Sequence, residues 1–182
     1  LITASIMCKK MAEGIDSLVL DVKWGAGAFM RTIADATALA QSMVRVGKAM
    51  NKGMVALLTD MNQPLGRTAG NALEIIESME CLQGKHAGED LMNITLALTA
   101  EMLVLGKKAA TVEAATGILK KIIASGAAFA KFKEMAVLHG ADVSALDDLS
   151  QLPKASIVTP FPPPAAASFA KADAEPTGRP AL

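Results

Sequence analysis

The stretch that decides the fold runs from SLVLDV at residues 17–22 to MVALLT at residues 54–59. Both runs are short, apolar and bounded by turn residues, which is typical of buried β-strands. The residues between them, from about Thr32 to Met50, follow a helical period. A strand, a helix and a strand within about forty residues predict two parallel strands joined by a crossover helix. The sequence therefore predicts an α/β core.

Helical patterns flank this unit on both sides. Residues 2–12 form one pattern, which stops at Gly14 in the manner of a glycine-capped helix. Four more patterns follow the turn at residues 62–66, and we expect their apolar residues to face the core. These residues are Ala72, Ile75, Ile76, Met79 and Leu82; Leu91, Ile94, Leu98, Met102 and Leu105; Val112, Ala115, Leu119 and Ile122; and Phe129, Phe132, Ala136 and Val137. We also interpret Met79, Met92, Met102 and Met135 as core residues, because methionine fills irregular gaps.

The chain divides into three predicted parts. Residues 1–14 form the end of a small helical domain, and residues 15–152 form part of a central α/β domain with a long helical stretch. Residues 153–182 form a linker that contains seven of the eight prolines, followed by the truncated start of a C-terminal α/β portion. The chain opens directly in a helical pattern without a Met, so we expect it to be an internal piece of a longer protein.

Composition excludes several functional classes. Of 182 residues, 52% are hydrophobic and 20% charged, which is the composition of a folded protein. Lys plus Arg and Asp plus Glu are 18 each, and this zero net charge argues against nucleic acid as a partner. No apolar run reaches the roughly 18 residues of a membrane span. Cys8 and Cys81 lack zinc or disulfide spacing, so we expect a protein of the cytoplasm.

Ser5 and Lys9 are the first candidate site. They are four residues apart, so the first helix places a hydroxyl and an ammonium on one face. Together they suit a planar polar ligand such as a base carbonyl, and the alternative is a solvated surface pair. Lys10 points about 100° away around the helix, and we expect it to be the more solvent-facing lysine.

The second candidate is the turn between residues 60 and 77. Carbonyl groups of the Pro-Leu-Gly turn and one carboxylate of the following helix could hold a cation through oxygen ligands. In the alternative interpretation, Asp60 caps a turn, and Glu74 and Glu77 lie on the helix surface. The Gly25-Ala-Gly27 turn does not fit a dinucleotide site, because Met30 replaces the third glycine. We expect His86 and His139 to be surface residues of loops.

Two long strings carry a resemblance to a known family. ITASIMCKKMAEGIDSLVLDVKWGAGAFM at residues 2–30 and VALLTDMNQPLGRTAGNALEI at residues 55–75 closely resemble the thymidine phosphorylase and pyrimidine-nucleoside phosphorylase family. The similarity continues into LPKASIVTPFPPP at residues 152–164. The resemblance implies a small helical domain that binds the base and a larger mixed-sheet α/β domain. It also implies phosphate-dependent cleavage of thymidine, deoxyuridine or uridine to the free base and a sugar 1-phosphate.

The resemblance assigns roles to five residues. It implies that Ser5 and Lys9 contact the pyrimidine, with Lys9 stabilising the departing base. It implies a monovalent cation, often potassium, held at Leu65, Thr68 and Glu77, where Thr68 stands in place of the usual alanine. Inorganic phosphate is the co-substrate, no organic cofactor is implied, and family members are typically homodimers.

Family members carry glycine-rich phosphate loops and a base-binding arginine upstream of the segment that resembles this chain. We therefore expect the isolated polypeptide to be inactive. The alternatives are a related enzyme of the same fold, such as a phosphoribosyltransferase, and a non-catalytic fragment that binds a base or dimerises. Thymidine is the expected substrate over uridine.

Overall fold

The computed structural model describes residues 1–86, 88–160 and 162. The chain begins with helix α1 (Ile2–Ala12), strand β1 (Ser17–Trp24), helix α2 (Ile33–Ala49) and strand β2 (Gly53–Asp60). Five helices follow, which are α3 (Asn71–Leu82), α4 (Asp90–Leu105), α5 (Val112–Ala124), α6 (Ala127–Leu138) and the short α7 (Ser144–Asp147). A 3₁₀ turn at Leu149–Gln151 is the last described element. The predicted α/β class is confirmed.

The two strands are parallel, in a register that pairs Ser17 with Gly53 and Trp24 with Asp60. Helices α2 and α4 both pack against them. The main core cluster combines side chains from α1, both strands and α2, and its buried members are Met7, Val22, Ala36, Ala40, Met43 and Met54. The predicted strand–helix–strand unit is therefore confirmed, and α1 shares its core.

Local capping signals set the helix boundaries. Gly14 adopts a left-handed φ of 72° directly after α1, as the glycine-cap prediction requires. Thr32 and Thr111 cap α2 and α5, where each side chain accepts a hydrogen bond from a backbone N–H of the first turn. Such caps satisfy donors that the helix itself leaves unpaired. Helix α7 and the 3₁₀ turn were not predicted from the sequence. An Asp lies just before each of them: Asp142 accepts a hydrogen bond from Ser144 N, and Asp148 accepts one from Ser150 N.

Burial corrects some of the predicted helix faces. Met79 and Met92 are buried as expected, at 2% and 4% exposure, but Met102 and Met135 are about half exposed, at 53% and 49%. Ile75 is also exposed. Periodicity placed Ile75 and Met102 on the inner face of a helix, and the methionine argument placed Met102 and Met135 in the core. Burial depends instead on which neighbours cover a side chain, and the described residues leave these three uncovered.

Other predictions have mixed outcomes. Cys8 and Cys81 are both free thiols, the first exposed and the second buried. No helix within residues 1–86 and 88–160 combines the length and apolar character that crossing a membrane requires. The division into three parts stays a prediction, and its last portion, from residue 163 onward, lies outside the described residues.

Candidate functional site: one face of α1 and two turns at the sheet edge

Helix α1 has one packed face and one open face. Met7 is fully buried in the main core, and Thr3 Oγ1 donates a hydrogen bond of 3.1 Å to Ser42 Oγ of α2. These contacts fix the rotation of the helix. Ser5 and Lys9 consequently share the open face, where both are exposed. The structure thus brings the two residues together as their spacing predicted, on a surface that a ligand could reach.

The expectation for Lys10 is wrong. Its Nζ lies 3.1 Å from Glu13 Oε1, and Lys10 is less exposed than Lys9. The reason is that Lys10 lies beside the packed face of α1 and finds a carboxylate three residues on. Lys9 is therefore the lysine that the helix presents to solvent.

The turn between β2 and α3 is built around the carboxylate of Glu77. Arg67 N donates to Glu77 Oε1 at 2.7 Å, and Thr68 donates to Oε2 from Oγ1 at 2.6 Å and from N at 3.3 Å. Glu77 is only 6% exposed, which excludes the surface interpretation for it, whereas Glu74 is exposed. Burial alone would raise the pKa of Glu77, but the hydrogen bonds from Arg67 and Thr68 lower it below its usual value.

Leu65, Thr68 and Glu77, the predicted cation ligands, line one cavity of about 350 Å³. The hydrogen bonds that Glu77 accepts within the described residues come from neutral donors, which are the N–H groups of Arg67 and Thr68 and the Thr68 hydroxyl. The charge of protonated His86 adds a smaller favourable effect. A carboxylate with nearby carbonyl and hydroxyl oxygens is a donor set that suits a hard or monovalent cation. The described residues contain no group of three His, Cys, Asp or Glu side chains at metal-binding spacing. Any cation here would therefore need main-chain or hydroxyl oxygens in addition to the Glu77 carboxylate.

The two candidate groups are separate. Neither Ser5 nor Lys9 lines the cavity that contains Glu77.

Residues 2–129, which include both groups, match the protein family described as "Glycosyl transferase family, a/b domain". The chain belongs to this family.

Individual proteins that are similar to this chain share one name. Pyrimidine-nucleoside phosphorylase from Staphylococcus aureus strain USA300 is 48% identical to this chain over 155 residues, and the proteins of that name from strains NCTC 8325 and COL match equally well. Each match covers 85% of the chain and 36% of the relative. The chain thus spans about a third of the length of these relatives.

This member of the glycosyl transferase family has a second structured turn, directly after β1. Ala26 N donates to Asn62 Oδ1 at 2.9 Å, and Gly27 N donates to Met61 O at 2.9 Å. Asp60 Oδ1 holds Asn62 in turn, by accepting from its N at 2.7 Å and from its Nδ2 at 2.6 Å. The prediction that Asp60 caps a turn is confirmed. Sequence reasoning missed the role of Asn62, because its partner Ala26 lies 36 residues away.

Both turns have a glycine at the point of closest approach to the polar anchor. A Cβ on Gly25 would lie 2.8 Å from Asn62 Oδ1, and its φ of 119° is itself unfavourable for other residues. A Cβ on Gly66 would lie 2.6 Å from Glu77 Oε2. Each turn therefore places a glycine directly against its polar anchor, and the bare backbone allows that approach.

The surface prediction for His86 is wrong, whereas His139 is exposed as expected. The side chain of His86 is 11% exposed, with Nε2 3.0 Å from Glu80 Oε2 and Nδ1 3.3 Å from Glu89 Oε1. The hydrogen bond to Glu80 makes the largest contribution to the raised pKa of His86, and the hydrogen bond to Glu89 makes the next largest. The bond between Glu80 and His86 in turn lowers the pKa of Glu80. The Glu-x5-His-x2-Glu spacing was visible in the sequence, but only the fold shows that the three side chains meet.

Proposed function

We propose that the chain is part of a pyrimidine-nucleoside phosphorylase. The observation that carries this proposal is the 48% identity to proteins of that name. The open face of α1 supports it, because a serine hydroxyl and a lysine ammonium stand exposed on adjacent turns. In this proposal, Ser5 and Lys9 bind the pyrimidine, and Lys9 is the catalytic residue.

The chemistry requires a group that stabilises charge on the base. An oxygen of inorganic phosphate attacks C1′ of the sugar, and the bond between C1′ and N1 of the pyrimidine breaks. Its electron pair goes to the base, and the sugar 1-phosphate forms. An ammonium beside a base carbonyl lowers the energy of the transition state, because the negative charge develops there. Ser5 would orient the same base through its hydroxyl group.

The wider setting belongs to the proposal too. Thymidine is the preferred nucleoside over uridine, inorganic phosphate is the second substrate, and the enzyme works in nucleoside salvage. The complete protein is a cytoplasmic homodimer.

We also propose that potassium binds at the β2–α3 turn, through Glu77 and the oxygens of Leu65 and Thr68. The buried carboxylate, whose hydrogen bonds come from neutral donors, supports this site. The ion would neutralise Glu77 and add rigidity to the turn. In 100 mM potassium chloride the thermal midpoint should be about 2–4 °C higher than in choline chloride, which corresponds to weak saturable binding. Glu77→Gln should remove this difference and Glu74→Gln should keep it, whereas an unchanged difference in Glu77→Gln would exclude the site.

The activity is tested by following free base released from thymidine and from uridine, with and without phosphate, by the intact protein that carries this chain. Release should depend on phosphate, and Lys9→Ala should reduce kcat/KM at least 100-fold, the magnitude of a lost charge-stabilising group. Lys10→Ala is the matched control and should stay within about twofold, because Lys10 is engaged with Glu13.

Each alternative gives a different result. Activity that requires a phosphoribosyl diphosphate in place of phosphate would favour the related transferase. Base binding without cleavage, by a folded protein, would favour the non-catalytic interpretation. Equal loss in both lysine variants would contradict the assignment of Lys9.

A further inference from the structure

His86 is held in a way that suits only its charged form. Its two ring nitrogens face two different carboxylates, Glu80 on α3 and Glu89 at the start of α4. A neutral imidazole has one N–H, so it can donate to one carboxylate and would turn a lone pair toward the other. The imidazolium has two N–H groups and satisfies both. The connection between α3 and α4 is therefore bound most firmly when His86 carries a proton.

The same carboxylate of Glu89 reaches the β2–α3 turn. Arg67 Nη2 lies 2.7 Å from Glu89 Oε1, the oxygen that also faces His86 Nδ1. The backbone N–H of Arg67 donates to Glu77. One continuous set of bonds thus runs from His86 through Glu89 and Arg67 to Glu77, and it joins two loops that are about 20 residues apart in sequence.

We propose that His86, Glu89 and Arg67 are positioning residues that hold the β2–α3 turn against Glu77, and that this hold weakens when His86 loses its proton. In this proposal the three residues act through the turn and not by contact with the nucleoside or phosphate. The inference stands on the geometry of the described residues and goes beyond the proposed function. If potassium binds at Glu77, the relay sets the rigidity of its site.

The charge balance around His86 explains why its proton matters. The groups that face or surround it are Glu77, Glu80, Cys81, Lys85, Glu89 and Arg67. Burial and the neighbouring carboxylates raise the pKa of the Cys81 thiol, which therefore stays neutral. Three carboxylates then face two permanent cations, and the imidazolium supplies the third positive charge. Its loss leaves a net negative cluster in which Glu80 and Glu89 are no longer held by the ring.

The sign of the pH effect follows from the raised pKa of His86. A group whose pKa is higher in the folded state adds stability below its unfolded value, near 6.5 for histidine. That contribution is lost as pH rises through the higher folded value. The turn should therefore be held at pH 6 and should loosen as the pH rises through the folded-state pKa of His86.

Amide hydrogen exchange and imidazole NMR shifts between pH 6 and 8.5 test the proposal on the full chain. Protection of the Arg67 and Thr68 amides, corrected for intrinsic exchange, should fall about fivefold over the pH range in which His86 titrates, as expected for one partly exposed charged contact. His86→Gln should remove this step. His139→Gln should keep it, because His139 is exposed at the end of α6.

Glu89→Gln gives a second variant in case His86→Gln unfolds. It retains the contact between His86 and Glu80 but removes the charged link to Arg67, so protection should be low at every pH. Flat protection in the wild type while His86 titrates would overturn the proposal, as would a retained step in either variant. Because no substrate is present, these outcomes are independent of whether the protein proves to be a phosphorylase.

Discussion

The two turns at the carboxyl edge of the sheet solve the same structural problem with different chemistry. The turn after β1 is anchored by the neutral amide of Asn62, and the turn after β2 is anchored by the buried carboxylate of Glu77. Each anchor lies so close to a glycine that a Cβ there would force the anchor to shift. The neutral anchor needs only hydrogen bonds, whereas the charged anchor also needs compensation for its burial. The turn after β2 is therefore the one whose anchor itself carries a charge.

Removing the anchors should separate the two turns most clearly. Glu77→Ala leaves the N–H groups of Arg67 and Thr68 and the Thr68 hydroxyl without their acceptor, and hydrogen bonds to charged groups contribute most. We expect a loss of about 3 kcal/mol in the free energy of unfolding, measured by urea denaturation. Asn62→Ala removes a neutral acceptor and should cost about 1 kcal/mol.

Glu74→Ala is the control for Glu77→Ala, because Glu74 precedes it by one helical turn but is exposed, and its carboxylate accepts a long hydrogen bond of 3.3 Å from Gly70 N. It should cost less than about 0.5 kcal/mol. If Asn62→Ala proved more damaging than Glu77→Ala, the distinction between a neutral and a charged anchor would be wrong.

The sequence was a good guide to elements and a poor one to environments. The predicted helix at residues 32–50 and the strand at 54–59 agree closely with α2 and β2, because Thr32 and the turn residues mark their ends locally. Thr68 shows the limit of that information. The sequence shows that Thr68 replaces the usual alanine, but the hydrogen bond from its hydroxyl to Glu77 forms only in the tertiary structure.

His86 and Glu77 show why candidate sites are harder to predict than elements. Both were open to interpretation as surface residues, since charged and polar side chains are usually exposed. Each is instead enclosed by partners 3–10 residues away, across a loop whose path the sequence does not reveal. Ser5 and Lys9 were easier, because a helix places residues four apart on one face whatever surrounds it.

Lowering the pH should give the smallest effect that distinguishes the Glu77 turn from the Asn62 turn. The pKa of Glu77 is lowered in the folded state, so its contribution is present above its unfolded value and is lost as pH falls through the lower folded value. The difference in unfolding free energy between wild type and Glu77→Gln should therefore shrink by about 1 kcal/mol between pH 6 and pH 3, as loss of a charge-assisted bond predicts.

Over the same range of pH, the Ala26 amide should keep more of its exchange protection than the Arg67 amide, because the Ala26 amide bonds to a neutral oxygen. A difference that stays constant down to pH 3 would mean that Glu77 is not an ionised anchor. Together with the loosening expected when His86 loses its proton, loss of Glu77 ionisation confines the turn after β2 to a window of pH.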